Sequence, residues 1–345
     1  MRKPILSICI PTYNRAQFAY AAAKNILDGW AGDEIEVVVS DNHSIDNTQE
    51  LLRGIDDSRL KYFRNEQNLG AAFNTHLSFL RATGKYAYLT SDEDDLILAE
   101  IPYLLEFFNN HPDVSVFIGG GDLTYTHKRF PDAVYTSPFE ALKAVAFQTR
   151  YMTGIIMNQQ QYAKQLADIT FEESAYKWDA YSFMYAIVKL CCCGDVVTSS
   201  HLLFHQPRLT MTDITNNARG DGVYYYEPQG RINQMHTWAR AICELPITDY
   251  EKQHMVIKII FDTISLTTRL FSPGYVDEVR KTVPASDFEV YQKRIAELER
   301  SSLISTILEQ GSNLFKTLFG CSIECCADER LVEYYKECSK RVNQS

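Results

Sequence analysis

Ser91-Asp92-Glu93-Asp94-Asp95 sets four carboxylates in succession directly behind an apolar, aromatic run, Tyr86 to Thr90, with no basic residue between. Like charges crowded in this way oppose one another's ionisation unless water or a cation neutralises them. A hard divalent cation would do so, taking oxygens from carboxylates and from a substrate diphosphate, as Mg2+ and Mn2+ commonly do. By itself the run is equally a solvated acidic loop or a helix N-terminus. Two further polar segments carry groups suited to a nucleotide. In Pro11-Thr12-Tyr13-Asn14-Arg15, Tyr13 can stack on a base, and Asn14 and Arg15 can hydrogen-bond. In Asp41-Asn42-His43-Ser44, Asp41 can accept bonds from a base or ribose. Taken singly, Tyr13 suits a turn or core, Arg15 a surface cation and Asp41 a helix-entry cap.

The elements that must position these groups give them meaning together. Ile5–Ile10, Glu34–Ser40, Leu60–Arg64, Lys85–Thr90 and Val114–Gly119 have the apolar, β-branched and aromatic content of strands. Between them, Gln17–Leu27, Thr48–Arg53, Ala71–Ala82 and Glu100–Asn110 stand where crossover helices are needed. The alternation predicts an α/β fold with a mostly parallel sheet flanked by helices. In such sheets ligands bind beyond the carboxyl ends of the strands, which is where all three polar segments fall. From Phe139 to Cys193 the pattern is mainly helical, interrupted by an extended Tyr151–Asn158, and Val196–Phe204 is one further strand. After Arg208 a polar, Gly-containing stretch, Asp213–Gly222, leads into long helical patterns. The expected division is therefore a catalytic-type α/β domain over 1–216 and a helical C-terminal region over 217–345. Phe288, Tyr291, Ile295 and Leu298 recur at helical spacing in that region. Such a face suits core packing or a contact between two copies of the chain, or else peripheral contact with a membrane.

With 345 residues, 46% of them apolar, the chain can bury a large core. Its formal net charge of −10 disfavours a nucleic-acid partner. Nine cysteines, including Cys191-Cys192-Cys193 and Cys325-Cys326, form no disulfide framework and no Cys-x-x-Cys metal pair. They point to free thiols in a reducing cytoplasm. Ile5 to Ile10 is too short for a signal-peptide core, and no window approaches the roughly 20 apolar residues of a membrane span.

Several motifs occur in order: Ser7-Ile8-Cys9-Ile10-Pro11-Thr12-Tyr13-Asn14-Arg15; Val39-Ser40-Asp41-Asn42 with Asp46-Asn47-Thr48; Asn68-Leu69-Gly70 with Asn74; and Leu89 to Asp95. In this series the chain resembles the inverting glycosyltransferases of family 2, with the GT-A fold, many of which build bacterial surface polysaccharides. The resemblance implies a Rossmann-like sheet and a nucleotide-diphosphate sugar donor held by Pro11, Thr12, Tyr13, Arg15, Asp41, Asn68 and Gly70, with Asp92 and Glu93. It implies Mn2+ or Mg2+ at an Asp-x-Asp motif that maps onto Asp92-Glu93-Asp94, with Asp92 and Asp94 as ligands and Asp95 as an alternative register. His205 resembles a histidine that some relatives place near the metal or diphosphate, although a lone histidine at a strand end is more often structural. Thr153-Gly154 would line the acceptor cleft. The implied acceptor is a hydroxyl of a glycan or lipid-linked glycan on the inner face of the plasma membrane.

By the same resemblance, the base is an aspartate near the start of a later helix, matched here by Asp179. The family's preceding glutamate is replaced by Trp178, and Glu172 and Glu173 are rivals. An ordinary first-turn acid stabilised by the helix dipole is the plain alternative for Asp179. Two other functions fit parts of the pattern. A nucleotidyltransferase would also handle nucleotides and Mg2+, but no early Gly-rich basic phosphate loop is present. A non-catalytic sugar-nucleotide or polysaccharide-binding scaffold is compatible with Trp178.

Overall fold

Val, Ile and aromatic residues build the sheet where the sequence concentrates them. In the computed structural model, which describes residues 3–122, 130–148, 151–170, 182–206, 228–272 and 298–344 with a few positions between, β2 (Ile35–Asp41) is buried at every position. It pairs in parallel with β1 (Leu6–Thr12), and β1 in turn with β4 (Tyr86–Leu89). β3 (Leu60–Arg64) adds a further parallel strand beside β2. The remaining strands are β5 (Asp95–Leu96), β6 (Val114–Asp122), β7 (Ala133–Tyr135), β8 (Ile155–Asn158) and β9 (Asp195–His205). Among the described residues they complete one sheet in the order β3-β2-β1-β4-β8-β6-β9-β5, with β7 also on β9. The sheet is mixed: β8 runs antiparallel to β4 and β6, β6 and β9 are parallel, and β5 and β7 are antiparallel to β9.

The helices cover this sheet with the faces their spacing dictates. α1 (Ala16–Gly29) buries Ala16, Ala19, Ala23, Ile26 and Leu27, so small side chains let it lie close to the strands. α4 (Ile101–Asn110) buries Ile101, Leu104, Leu105 and Phe108, and Phe108 stacks on Tyr86 of β4 with centroids 3.9 Å apart. α2 (Thr48–Arg53), α3 (Gly70–Arg81), α5 (Pro138–Val145), α6 (Gln159–Leu166) and α7 (Ser182–Leu190) complete this unit. Each of the first four expected helices lies within about one or two residues of its observed limits, the usual uncertainty of helix ends. β5 and β7 were not expected: at two and three residues, they are too short to carry a periodic signal.

The chain divides into two compact units, Met1–Arg208 and Leu209–Ser345. The boundary expected near Asn217 lies outside the described residues, as do Tyr291 and Ile295 of the predicted amphipathic face. The second unit contains α8 (Pro228–Cys243), α9 (Asp249–Thr268), α10 (Arg300–Phe319) and α11 (Glu329–Gln344). α9 packs against α8, α10 and α11, and its N-terminus carries a reciprocal Thr248–Glu251 capping box that satisfies two otherwise orphaned N–H groups. Among the described residues no helix is long and apolar enough to cross a membrane. All nine cysteines are free thiols.

One packing feature ties the fold to its sheet end. Phe204 of β9 lies against the backbone of Gly121 and Gly154, where an added Cβ would fall 2.1 and 3.0 Å from its ring. Gly154 also has φ +90°, a conformation that costs side-chain-bearing residues about 1–3 kcal/mol. On Phe204 stacks Tyr151, with centroids 5.5 Å apart and planes 8° from parallel. Gly121→Ala is therefore expected to destabilise the protein by about 1–3 kcal/mol through overpacking, read as a lower denaturant midpoint. An unchanged midpoint would contradict this close approach.

Candidate active site

The carboxyl ends of β1, β2 and β3 are stitched together by amides. The Asn42 N–H donates to the Thr12 carbonyl at 2.9 Å and the Asn65 N–H to the Asp41 carbonyl at 2.8 Å, extending the ladders past the strands. Asn74, reaching in from α3, donates to the Ser40 carbonyl at 2.8 Å and accepts from Ser40 Oγ at 2.8 Å and Asn65 Nδ2 at 3.0 Å. Asn42 Oδ1 accepts from Asn65 Nδ2 and from the Leu69 N–H, while its amide nitrogen donates to Asn68. Arg81 donates to Ser40 and Asn65. These buried polar groups are costly alone and rigid when mutually satisfied. Asn14 and His43 adopt left-handed backbone, φ 54° and 68°. Asn14 makes that affordable locally by accepting from the Ile45 N–H at 2.8 Å, as Asn side chains in such turns do.

The acid run joins the opening motif directly. Thr12 Oγ1 donates to Asp92 Oδ2 at 2.7 Å, Arg15 Nε lies 3.1 Å from Asp92 Oδ1, and Arg15 Nη2 pairs with Glu93. Asp94 is held differently. The Tyr151 hydroxyl donates to Oδ1 at 2.6 Å and Thr153 Oγ1 donates to Oδ2, while Thr153 Oγ1 accepts the Ser91 N–H at 2.9 Å. Asp92 and Asp94 are 6% and 5% exposed, so desolvation dominates their titration. Burial pushes Asp92 up to about 6, against Arg15 and the Thr12 hydrogen bond, with Glu93 adding to the rise. Burial pushes Asp94 to about 7, against the bonds from Thr153 and Tyr151, and the neighbouring charges of Glu93 and Asp92 push the same way. Among the described residues no Lys or Arg is paired with Asp94. Asp95 is exposed and pairs through β5 with His205, itself exposed, 3.6 Å from Asp122.

An oxygen-rich set with one buried, uncompensated carboxylate fits a hard divalent cation. No three His, Cys, Asp or Glu side chains converge on a metal among the described residues, so such a cation would need oxygens from a substrate as well. Of the two, Asp94 could hold such a cation more readily, because Asp92 already shares Arg15.

The other residues expected to hold the nucleotide lie near the same sheet end, and one of them is enclosed. Tyr13 is 41% exposed beyond β1, Pro11 is half-buried within it, and Asn68 and Gly70 are exposed at the start of α3, Gly70 with φ 74°. Asp41, in contrast, is fully buried: it accepts from the Ser44 N–H at 2.8 Å and from the Tyr62 hydroxyl at 2.6 Å, with Arg64 Nε 3.6 Å away. A base reaching Asp41 would have to share or displace these partners. Tyr62 and Tyr151 carry no motif signal, since their partners lie far away in sequence. Thr153, expected at the acceptor cleft, bonds to Asp94. Asp179, Trp178, Glu172, Glu173 and Arg208 lie outside the described residues.

A model of the family described as Glycosyl transferase family 2 matches residues 7–181. A Campylobacter jejuni GalNAc(5)-diNAcBac-PP-undecaprenol beta-1,3-glucosyltransferase is 31% identical over 109 residues, covering 31% of this chain and 35% of that protein. The chain thus spans about a third of the length of this curated relative. The structure of S. aureus TarS 1–349 in complex with UDP-GlcNAc superimposes with a TM-score of 0.59 at 12% identity, over 98% of this chain and 88% of that one. The mannosyltransferase PcManGT from Pyrobaculum calidifontis, in complex with GDP-Man and Mn2+, gives 0.50 at 12% identity, over 93% and 88%. Both structures bear on the fold alone.

An acid whose folded pKa exceeds its unfolded value of about 4 binds its proton more tightly when folded, so stability falls as pH rises between the two values. For Asp94 that window ends at about 7. In metal-free protein, Asp94→Asn is expected to gain on the wild type by on the order of 2 kcal/mol between pH 5 and pH 8. Parallel melting curves across that range would contradict the burden placed on Asp94.

Proposed function

The chain belongs to glycosyl transferase family 2, and we propose that it moves a sugar from a nucleotide-diphosphate sugar to a hydroxyl of a glycan or lipid-linked glycan, with inversion, in polysaccharide synthesis. The observation that carries this reading is the Thr12–Asp92 hydrogen bond. It joins the nucleotide-type segment after β1 to the acid run after β4, so one ligand can touch both. Tyr13 offers its exposed ring to a base, and Arg15 positions Asp92 and Glu93 while reducing their repulsion of a diphosphate. Asp94 would hold Mn2+ or Mg2+, with Asp92 and His205 as further contacts. A bound cation would stabilise the charge growing on the departing nucleoside diphosphate.

Asp179 takes the proton of the acceptor hydroxyl as that oxygen attacks the anomeric carbon from the face opposite the leaving group. Inversion follows from a single displacement. The Campylobacter jejuni relative, a beta-1,3-glucosyltransferase by name, supports a sugar-transfer reading. Asp179→Asn should lower kcat by about 10^2–10^4 while leaving binding of the donor nucleotide nearly unchanged. Exhaustive chelation should abolish turnover and added Mn2+ restore it. Near-native turnover of Asp179→Asn removes Asp179 as the base; full activity after chelation removes the cation.

A further inference from the structure

Two hydroxyls around Asp94 have their hydrogens committed by what surrounds them. Thr153 Oγ1 accepts the Ser91 N–H at 2.9 Å, which leaves its single hydrogen for Asp94 Oδ2. The Tyr151 hydroxyl donates to Asp94 Oδ1 at 2.6 Å. Tyr151 itself is fixed by stacking on Phe204, which the glycine backbones of Gly121 and Gly154 admit at close range. Each carboxylate oxygen of Asp94 thus receives one hydrogen from a donor that has little rotational freedom. A carboxylate accepts at more than one position per oxygen, so this clamp fixes the carboxylate without using up its capacity to ligate.

We propose that Tyr151 and Thr153 are positioning residues that preset the Asp94 carboxylate for a divalent cation. This rests on the reading of Asp94 as a cation ligand. Groups that bond to metal-ligating carboxylates typically change metal affinity by about 10- to 100-fold when removed. In this reading Thr153, expected to line the acceptor cleft, also serves Asp94.

The test is Mn2+ binding to the full chain, followed by the electron paramagnetic resonance signal of the free ion, with UDP and with GDP as probe nucleotides. Tyr151→Phe and Thr153→Val are each expected to weaken Mn2+ binding about 10-fold. Thr153→Ser, which keeps the hydroxyl, should stay within about twofold of wild type. Nucleotide affinity measured in EDTA should not move in any variant, whereas a merely structural role would weaken both. Should Thr153→Val not fold, Tyr151→Phe, which removes one oxygen only, decides alone. Wild-type affinity for Mn2+ in Tyr151→Phe and Thr153→Val overturns the clamp and leaves the cation reading standing. No Mn2+ uptake by the wild type with either nucleotide overturns the cation reading and the clamp with it.

Discussion

Burying two carboxylates side by side at the end of a sheet is the constraint around which this structure is arranged. Desolvation opposes ionisation of both Asp92 and Asp94, and the protein answers the two in different ways. Asp92 is paired with the guanidinium of Arg15, from the segment that follows β1, and accepts from the Thr12 hydroxyl. Among the described residues Asp94 receives neutral donors, the hydroxyls of Tyr151 and Thr153. Neutral hydrogen bonds offset part of the cost of a buried anion but do not cancel its charge. In the proposed reaction this charge is what a divalent cation at Asp94 would offset, which would set the two acids to different tasks.

The rest of the sheet end keeps these groups in register. Thr12, Asp41 and Arg64 stand opposite one another across β1, β2 and β3, and the amide lattice of Asn42, Asn65 and Asn74 continues the hydrogen bonding where the strands stop. The segment 41–48 then reaches back to the first strand. Asp46 accepts from the N–H of Ala16 at 3.0 Å, so the start of α1 is capped by a residue from the next loop. Burial works against ionisation of Asp46, yet its bonds from Thr48 and Ala16 outweigh that and lower its pKa. Loops that carry the site are therefore held by polar contacts between loops, while the strands and helices supply the apolar core.

Much of this was legible in the residues themselves. The strands of the first half, their four crossover helices and the grouping of three polar segments at one sheet end follow from local periodicity and from the geometry of parallel sheets. The contacts of Tyr62 and Tyr151 were not legible, because each bonds an acid 21 or more residues away. The enclosure of Asp41 was hidden for the same reason: its partners include a tyrosine that reads from sequence as an ordinary strand residue. The register of four consecutive acids was ambiguous by pattern. Burial separates them, since Asp92 and Asp94 point into the protein and Asp95 lies exposed in β5.

The most direct measurement is of the products formed from a panel of nucleotide-diphosphate sugars with Mn2+ and a glycan or lipid-linked glycan acceptor. Sugar transfer predicts release of a nucleoside diphosphate together with a glycosylated acceptor of inverted anomeric configuration. Release of pyrophosphate would instead mark nucleotidyl transfer, and retention of configuration would mark a different displacement chemistry; either result would contradict the account.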